Sequence, residues 1–398
     1  MRWLPPPALS ALVVFTLLIP AGRAETHLVL PFSNLSQDRK LDWIGESICE
    51  NVADALSAEG LLVLDREGRI EMYGRMSLRL YAPLTRATVI KIGEALDADH
   101  VVHGQFLVTG AAAPGGKASI RIAARVLDPR LLRQSAEFAH TVPLDDLASV
   151  QAALAWEVFH YLRPRTTRSE ADFTERRQAT RVDALENYVR GLLSPSPEQR
   201  HRLFAQAARL DPGYSQPKYQ LGRLHWARAS YQLASEWLKQ VAPSDPHFSD
   251  AVFWLGMSRY KLGDFAGAED AFAKLAREIP LNEVFNNLGA SQARQDRPGA
   301  LESFRKALEG DESDPVYHFN AGYAQWRLGL YEEAADRFRA VLDRDAGDTE
   351  ATVMLGRCLK KSGARLGGAR AEPGPRLKEN FDATVYRQLK EMVESRKN

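Results

Sequence analysis

The sequence predicts an α+β two-domain chain: a small mixed-sheet α/β domain followed by an all-α solenoid of stacked helical hairpins. Three observations carry that reading. Between residues 26 and 162 the apolar residues switch between the twofold alternation of strands and the 3.6-residue spacing of helices, and beyond residue 182 only the helical spacing remains. Glycines at 222, 256, 289, 322 and 356, each preceded by Leu or Ala, fall 34, 33, 33 and 34 residues apart, a period that accommodates one helical hairpin. Finally, 398 residues with 45% hydrophobic and 26% charged side chains are too many for one core yet have an ordinary globular balance.

Lys and Arg number 52 against 51 Asp and Glu, a net charge of +1, so no overall field draws nucleic acid or a membrane surface. Residues 1–24 have the layout of a secretory signal peptide. Arg2 is the positive end, residues 8–19 the apolar run, and Gly22-Arg23-Ala24 the small-x-small cleavage site. That run is shorter than the roughly 20 residues a bilayer demands, and no later segment is apolar enough to cross one. The expected product is a periplasmic or secreted protein without a transmembrane span. Cys49 and Cys358 fall in different halves, which excludes a disulfide framework, and each reads as a small buried residue.

Residues 27–32 (HLVLPF) read as a strand, and 41–57 as a helix through Ile44, Ile48, Val52 and Leu56 that stops at Gly60. Residues 61–64 are a second strand, 67–84 an irregular Arg-rich connection, and 85–96 a helix through Val89, Ile92 and Leu96. Three strands then follow at 100–109, 118–127 and 131–142. The middle one alternates Ile120, Ile122 and Val126 with Ser119, Arg121 and Arg125, and Pro114-Gly115-Gly116 makes the turn before it. A helix over 144–162 closes a β-α-β-α-β-β-β-α order, a mixed sheet with helices packed on it.

The segments VLPFSNLS (29–36), GESICENVADALSAEGLLVLDR (45–66), IGEALDADHVVHGQF (92–106) and RIAARVLD (121–128) carry a likeness to a known family. Residues 25–162 resemble the amino-terminal domain of TolB and the related flagellar and curli-secretion accessory domains. The resemblance implies an envelope-associated interaction domain without catalysis. Residues 163–181 are charged and poor in large apolar side chains, and read as a linker. Its arginines at 163, 165, 168, 176, 177 and 181 are interspersed with acids, as in a solvated segment rather than a nucleic-acid site.

From residue 182 the chain repeats. The unit beginning at 249 contains LGMSRYKLGDFAGAEDAFAKLAREIP, with Leu255 and Gly256 in its first helix, Gly263 at the turn, and Ala268 and Phe272 in its second. Later units supply ALESFRKAL (300–308) and LGLYEEAADRFRAVL (328–342). A small residue in each helix admits close approach, and the aromatic of the second is expected to fill the space against the next hairpin. Period and pattern together resemble the tetratricopeptide repeat over 182–361, as five hairpins and the first helix of a sixth. Residues 362–376 read as a loop and 377–398 as an amphipathic helix capping the exposed end of the stack.

The resemblance implies a concave groove lined by the first helix of each unit. Positions two before the Leu, and one and four after the Gly, point into it. They are Tyr219, Arg223 and Trp226 in one unit and Phe253, Met257 and Tyr260 in the next. Asn286 with Ala290 and Ala293 follows, then Phe319, Tyr323 and Trp326, then Val353, Arg357 and Lys360. Lys261, Arg294, Arg327 and Lys361 stand at the margins. Aromatic and Arg side chains concentrate binding energy, and the groove is expected to take an apolar, partly acidic peptide.

Catalytic patterns are missing. GAAAPGGKAS (110–119) departs from a phosphate loop at Ala111 and Ala118, and His100 and His103 alternate faces on a strand. HExxH, CxxC and GxSxG do not occur. The expectation is a non-enzymatic protein-binding scaffold of the bacterial envelope, with no cofactor and no metal. The competing class is a ligand sensor whose α/β domain binds a small molecule that the repeats relay.

Overall fold

The computed structural model describes residues 25–36, 38–110, 118–175, 180–363, 373–382, 385–386, 389–390 and 393. The leader and the turn at Pro114-Gly115-Gly116 lie outside them. In chain order the first domain contains β1 (Thr26–Val29), β2 (Ser33–Asn34), α1 (Trp43–Ala58), β3 (Leu62–Val63), α2 (Arg66–Arg75) and α3 (Arg86–Ala95). It continues with β4 (His100–Thr109), β5 (Ser119–Asp128), β6 (Arg133–Gln134), β7 (Phe138–Pro143) and α4 (Leu147–Leu162). The sheet is mixed: β1 runs parallel to both β3 and β4, while β4, β5 and β7 are antiparallel neighbours. Twofold alternation decides which side chains meet which helices. Leu28, Leu30, Val101 and Leu127 pack against α2 and α3, and Val29, Phe32, Val102, Phe106, Ile120 and Ile122 against α1 and α4.

Two elements differ from the sequence expectation. The strand expected over 131–142 is divided into β6 and β7 because Ser135 bonds across to Val126 with backbone and side chain together. Its N–H donates to the Val126 carbonyl at 2.8 Å and its hydroxyl accepts the Val126 N–H at 3.0 Å. The connection at 67–84 contains helix α2, capped by Asp65, which accepts the Gly68 N–H at 2.8 Å. What fastens α2 to α1 is charge rather than an apolar stripe. Arg69 is buried, with Nη2 at 2.9 Å from Glu46 and 2.6 Å from Glu50, while Nη1 donates to Cys49 Sγ at 2.9 Å. Burial pushes the Glu46 carboxyl up, but Arg69 and Arg66 hold it below its ordinary range.

At the end of the sheet His27 is fully buried, stacked on His100 at 5.2 Å, and neither ring nitrogen has a hydrogen-bond partner. Burial, with His100 adding repulsion, lowers its pKa to about 4. The native chain thus holds this imidazole neutral, whereas the unfolded chain protonates it as pH falls through about 6.5.

The stretch 163–181, read as a linker, is not a free spacer. It forms α5 (Glu170–Glu175), and Phe173 is fully buried 5.4 Å from Phe159 and 5.3 Å from Trp156. Arg168 pairs with Glu59 at 3.2 Å. A single aromatic side chain in a charged context is enough to seat the segment on α4.

The second half is a row of antiparallel pairs. They are α6 (Val182–Leu193) with α7 (Pro197–Leu210), α8 (Ser215–Ala227) with α9 (Tyr231–Leu238), and α10 (Phe248–Lys261) with α11 (Phe265–Glu278). Then come α12 (Asn282–Ala293) with α13 (Gly299–Gly310), α14 (Pro315–Arg327) with α15 (Tyr331–Leu342), and finally α16 (Thr349–Leu359). In four of the pairs an aromatic of the second helix presses on a glycine of the first, and in α8/α9 Leu238 takes that place against Gly222. A Cβ at Gly256 would lie 2.9 Å from Phe272, and one at Gly289 would lie 2.8 Å from Phe304. The aromatic expected to fill space against the next hairpin therefore sits on its own hairpin's glycine. The pair α6/α7 is built into the first domain: Leu185, Tyr188, Val189 and Phe204 share one core with Ile48, Val52, Val150 and Leu154.

Part of the capping helix expected over 377–398 takes another form. Residues 373–382 have no regular secondary structure, and the helical residues described beyond them are 385–386, 389–390 and 393. Pro375 disfavours the helical region for the residue before it, Gly374. The segment runs along the inner face of the array instead of closing its end.

Phe304→Ala empties a fully buried site against Gly289 and should lower stability by about 3–5 kcal/mol in urea unfolding. Between pH 6.5 and 4 the wild type should lose stability relative to His27→Leu, and a pH-independent gap between the two would contradict the buried neutral imidazole.

Candidate peptide groove

The inner face is formed by α10, α12, α14 and α16, and the chain's own residues 373–382 and 385–386 lie in it. Two asparagines pair with the backbone of this tail as one amide pairs with another. Asn320 on α14 donates Nδ2–H to the Arg376 carbonyl at 2.7 Å and accepts the Arg376 N–H at 2.7 Å. Asn287 on α12 makes the same pair with Lys378, at 2.8 Å in each direction. Asn286 adds a second donor to the Arg376 carbonyl at 2.9 Å, and its own oxygen accepts from Asn320 at 2.7 Å. All three asparagines are fully buried. Buried amides need such partners, and an extended segment supplies them every second residue.

The side chains of the tail are met by charge and by rings. Arg376 lies over Phe319, 3.6 Å from the ring centroid, and forks onto Asp348 at 2.6 and 2.8 Å with Glu350 at 2.8 Å. Those hydrogen bonds hold the Asp348 carboxyl below its ordinary range. Lys378 pairs with Asp314 and lies 5.3 Å from the Tyr317 ring. Asp314 and Asp348 are also the N-caps of α14 and α16, accepting Val316 N–H at 2.8 Å and Ala351 N–H at 2.9 Å. Phe381 stacks on Phe253, with centroids 4.6 Å apart and planes 12° from parallel. Tyr386 is buried, donating to the Leu275 carbonyl at 3.3 Å, and Lys390 reaches Glu278 at 2.6 Å. The tail thus runs from α16 back towards α10, against the order of the repeats.

Of the residues expected to line the groove, Phe253, Asn286 and Phe319 touch the tail as described, and Tyr260 donates to the Pro375 carbonyl at 3.4 Å. Met257 is buried behind them, with its sulfur 3.4 Å from Asn287 Nδ2. Arg294 lies beside Gly374 and 4.8 Å from the Phe265 ring. The others are placed elsewhere. Tyr219 stacks on His247 at 4.7 Å, Arg223 lies over Trp254 at 4.1 Å, and Trp226 packs on Trp254 at 5.1 Å. Trp326 is fully buried and donates to the Ser362 carbonyl at 2.8 Å; beside it lie Tyr323 at 5.9 Å and Arg357 at 5.7 Å. Arg327 pairs with Asp296, and Lys360 is exposed at the end of α16.

Asn287 and Asn320 escaped the sequence reading because they sit one position from the three that were counted. Their signal is legible in retrospect. Asn is a poor mid-helix residue, yet it recurs two before the glycine in consecutive units. The expected acidic character of the bound segment is reversed, since Asp314, Asp348 and Glu350 answer a basic one.

A family model of the tetratricopeptide repeat matches residues 219–283 and 291–359. The second half of the chain is a tetratricopeptide-repeat array. Curated relatives include the cell division cycle protein 16 homologs of Homo sapiens, 26% identical over 215 residues, and Mus musculus, 25% identical over 215 residues. The match covers 49% of this chain and 34% of each relative, so the chain spans about a third of their length. Solved tetratricopeptide structures with a likeness include MamA from Desulfovibrio magneticus RS-1. It is 22% identical with a TM-score of 0.37, over 40% of this chain and 92% of that one. YrrB, described as a tetratricopeptide protein with an unusual peptide-binding site, is 19% identical with a TM-score of 0.35, over 49% and 98%.

Outside the groove, Glu25, His27 and His100 bring ligand-type atoms within 4.8 Å of one another. Glu25 is exposed and paired with Arg163 at 2.8 Å, so a cation there would have to displace that arginine.

Replacing Asn287 and Asn320 with Ala leaves the Arg376 and Lys378 N–H groups without their acceptors, at a cost of about 1–3 kcal/mol for each site. Hydrogen exchange at those two amides should accelerate by roughly tenfold or more while α13 exchanges as before. Unchanged rates at 376 and 378 would show that the pairing does not hold the tail.

Proposed function

We propose that this protein is a non-catalytic adaptor of the bacterial cell envelope that holds an extended segment of a partner protein in the concave face of its repeats. The observation that carries the reading is the pair of buried asparagine amides bonded to an extended backbone, because backbone pairing of this kind accepts peptide as such. Envelope residence draws its support from the leader-like residues 1–24 and from the likeness of residues 25–162 to TolB-type accessory domains. Among the described residues no helix is long and apolar enough to cross a membrane, which is compatible with a protein that docks on an assembly. In this reading the α/β domain docks and the array holds the client.

A second reading is favoured by one feature. A cavity of about 590 Å³ lies between the α/β domain and the repeats, lined among others by Asp54, Arg168, Tyr214, Asp245 and Lys274. A small molecule bound there would make the protein a sensor.

The test is affinity capture from envelope extract with the wild type and the Asn287→Ala plus Asn320→Ala variant. Trp326, buried as it is, would report on folding instead. Partners retained by the wild type and lost by the variant are expected; equal recovery of the same proteins by both would remove the groove from the function. A metabolite-induced thermal shift that persists in the variant would favour the sensor.

A further inference from the structure

We infer that the groove is a receptor for extended segments of the pattern basic–x–basic–x–x–aromatic, and that the chain's own tail occupies it as an internal competitor of such a partner. The inference rests on the peptide-holding reading above and adds to it the chemistry of the client.

Three features of the groove define the pattern. The first position is read by a planar carboxylate pair and a ring face. Asp348 receives both Nη atoms of Arg376, Glu350 takes one of them, and Phe319 lies beneath the guanidinium at 3.6 Å. A fork of this shape favours Arg over Lys. The second basic position lies two residues on, where the extended backbone again faces the same side, and Asp314 with Tyr317 receives a point charge. The aromatic position, three residues further, is the face of Phe253. Between them the backbone is held by Asn320 and Asn287 without regard to side chain, so the register is set by amides and the selectivity by acids and rings.

With the tail seated, Asp348 has only 8% of its side chain exposed and Asp314 only 14%, so its cations meet carboxylates largely shielded from water. An acidic or neutral segment seated in the same place would shield those carboxylates without answering their charge, and a basic one restores the pairs. The acids therefore select the same kind of occupant whether it arrives from the same chain or from another.

Attachment to the same chain would favour the tail over a separate partner. Nine residues, 364–372, separate it from the last described residue of the array. A short tether gives an effective concentration on the order of millimolar. A tail with an intrinsic dissociation constant of about 10 µM would then be bound about 99% of the time, and a partner would see its affinity reduced about 100-fold. Weakening the tail's anchors should therefore raise the groove's apparent affinity for the same sequence supplied separately.

The probe is a fluorescein-labelled peptide of residues 373–382 (PGPRLKENFD), read by fluorescence anisotropy against the full chain. Wild type is expected to bind weakly. The full chain carrying Arg376→Ala, Lys378→Ala and Phe381→Ala should bind at least tenfold more tightly. A peptide with Glu at both basic positions should lose at least tenfold, and adding Asn287→Ala and Asn320→Ala to the protein should abolish binding. Circular dichroism and urea unfolding establish that each variant is folded. Absence of binding by a folded tail-weakened chain, or equal binding of the charge-reversed peptide, overturns the inference. So does concentration-dependent dimerisation of the wild type that the tail substitutions remove, since the occupant is then a second copy. An adaptor that reads another sequence would still capture partners through Asn287 and Asn320 while failing every peptide arm, so the two proposals fail separately.

Discussion

The architecture depends on one close approach, that of an aromatic ring in the second helix of a hairpin to a glycine in the first. At Gly289 and Gly256 there is no room for a Cβ against Phe304 and Phe272. The contact brings the two axes together at a fixed point in successive units. Because it recurs every 33 residues from Gly256 through Gly289 to Gly322, it also sets the pitch at which the first helices line up along the inner face. Asn286, Asn287 and Asn320 fall into a line only because their helices do.

That line explains why polar residues occupy positions where a helix would rather have Ala or Leu. An asparagine amide buried with no partner is costly, and one paired with a peptide backbone is satisfied at both ends. The groove is therefore built around an occupant. The tail meets this demand with Arg376 and Lys378, and the N-cap acids of α14 and α16 do double duty by closing their own helices and answering the tail's charge. The interior of the array is lined for an extended segment and holds the chain's own.

Where apolar periodicity shaped the structure, the sequence was readable. The alternation of Ile120, Ile122 and Val126 places β5, and the glycine spacing places the hairpins, since both follow from sterics within one element. What escaped reading depended on distant partners. Helix α2 is held by Arg69 among Glu46, Glu50 and Cys49, with only Met72 and Tyr73 as buried apolar anchors, a pattern too short to announce it. Phe173 looked like one ring in a solvated stretch until α4 supplied Phe159 and Trp156. The groove was half legible. Counting positions from the Leu-Gly pair reaches Phe253, Tyr260, Asn286 and Phe319, but the inner surface is wider than that count and includes the neighbouring turn of each helix. The tail itself was out of reach, because amphipathic spacing over residues 377–395 is equally the mark of a helix and of a strand-like segment with Leu377 and Phe381 turned inward.

The α/β domain and the first hairpin have a common interior, in which Tyr188 and Phe204 pack with Val52 and Leu154, and α5 lies flat against α4. The junction has none of the slack of a tethered pair of modules. The molecule is thus a bracket: were its sheet end gripped as proposed, the shared interior would fix the bearing of the first hairpin, and a client would be met at an angle chosen when the chain folds.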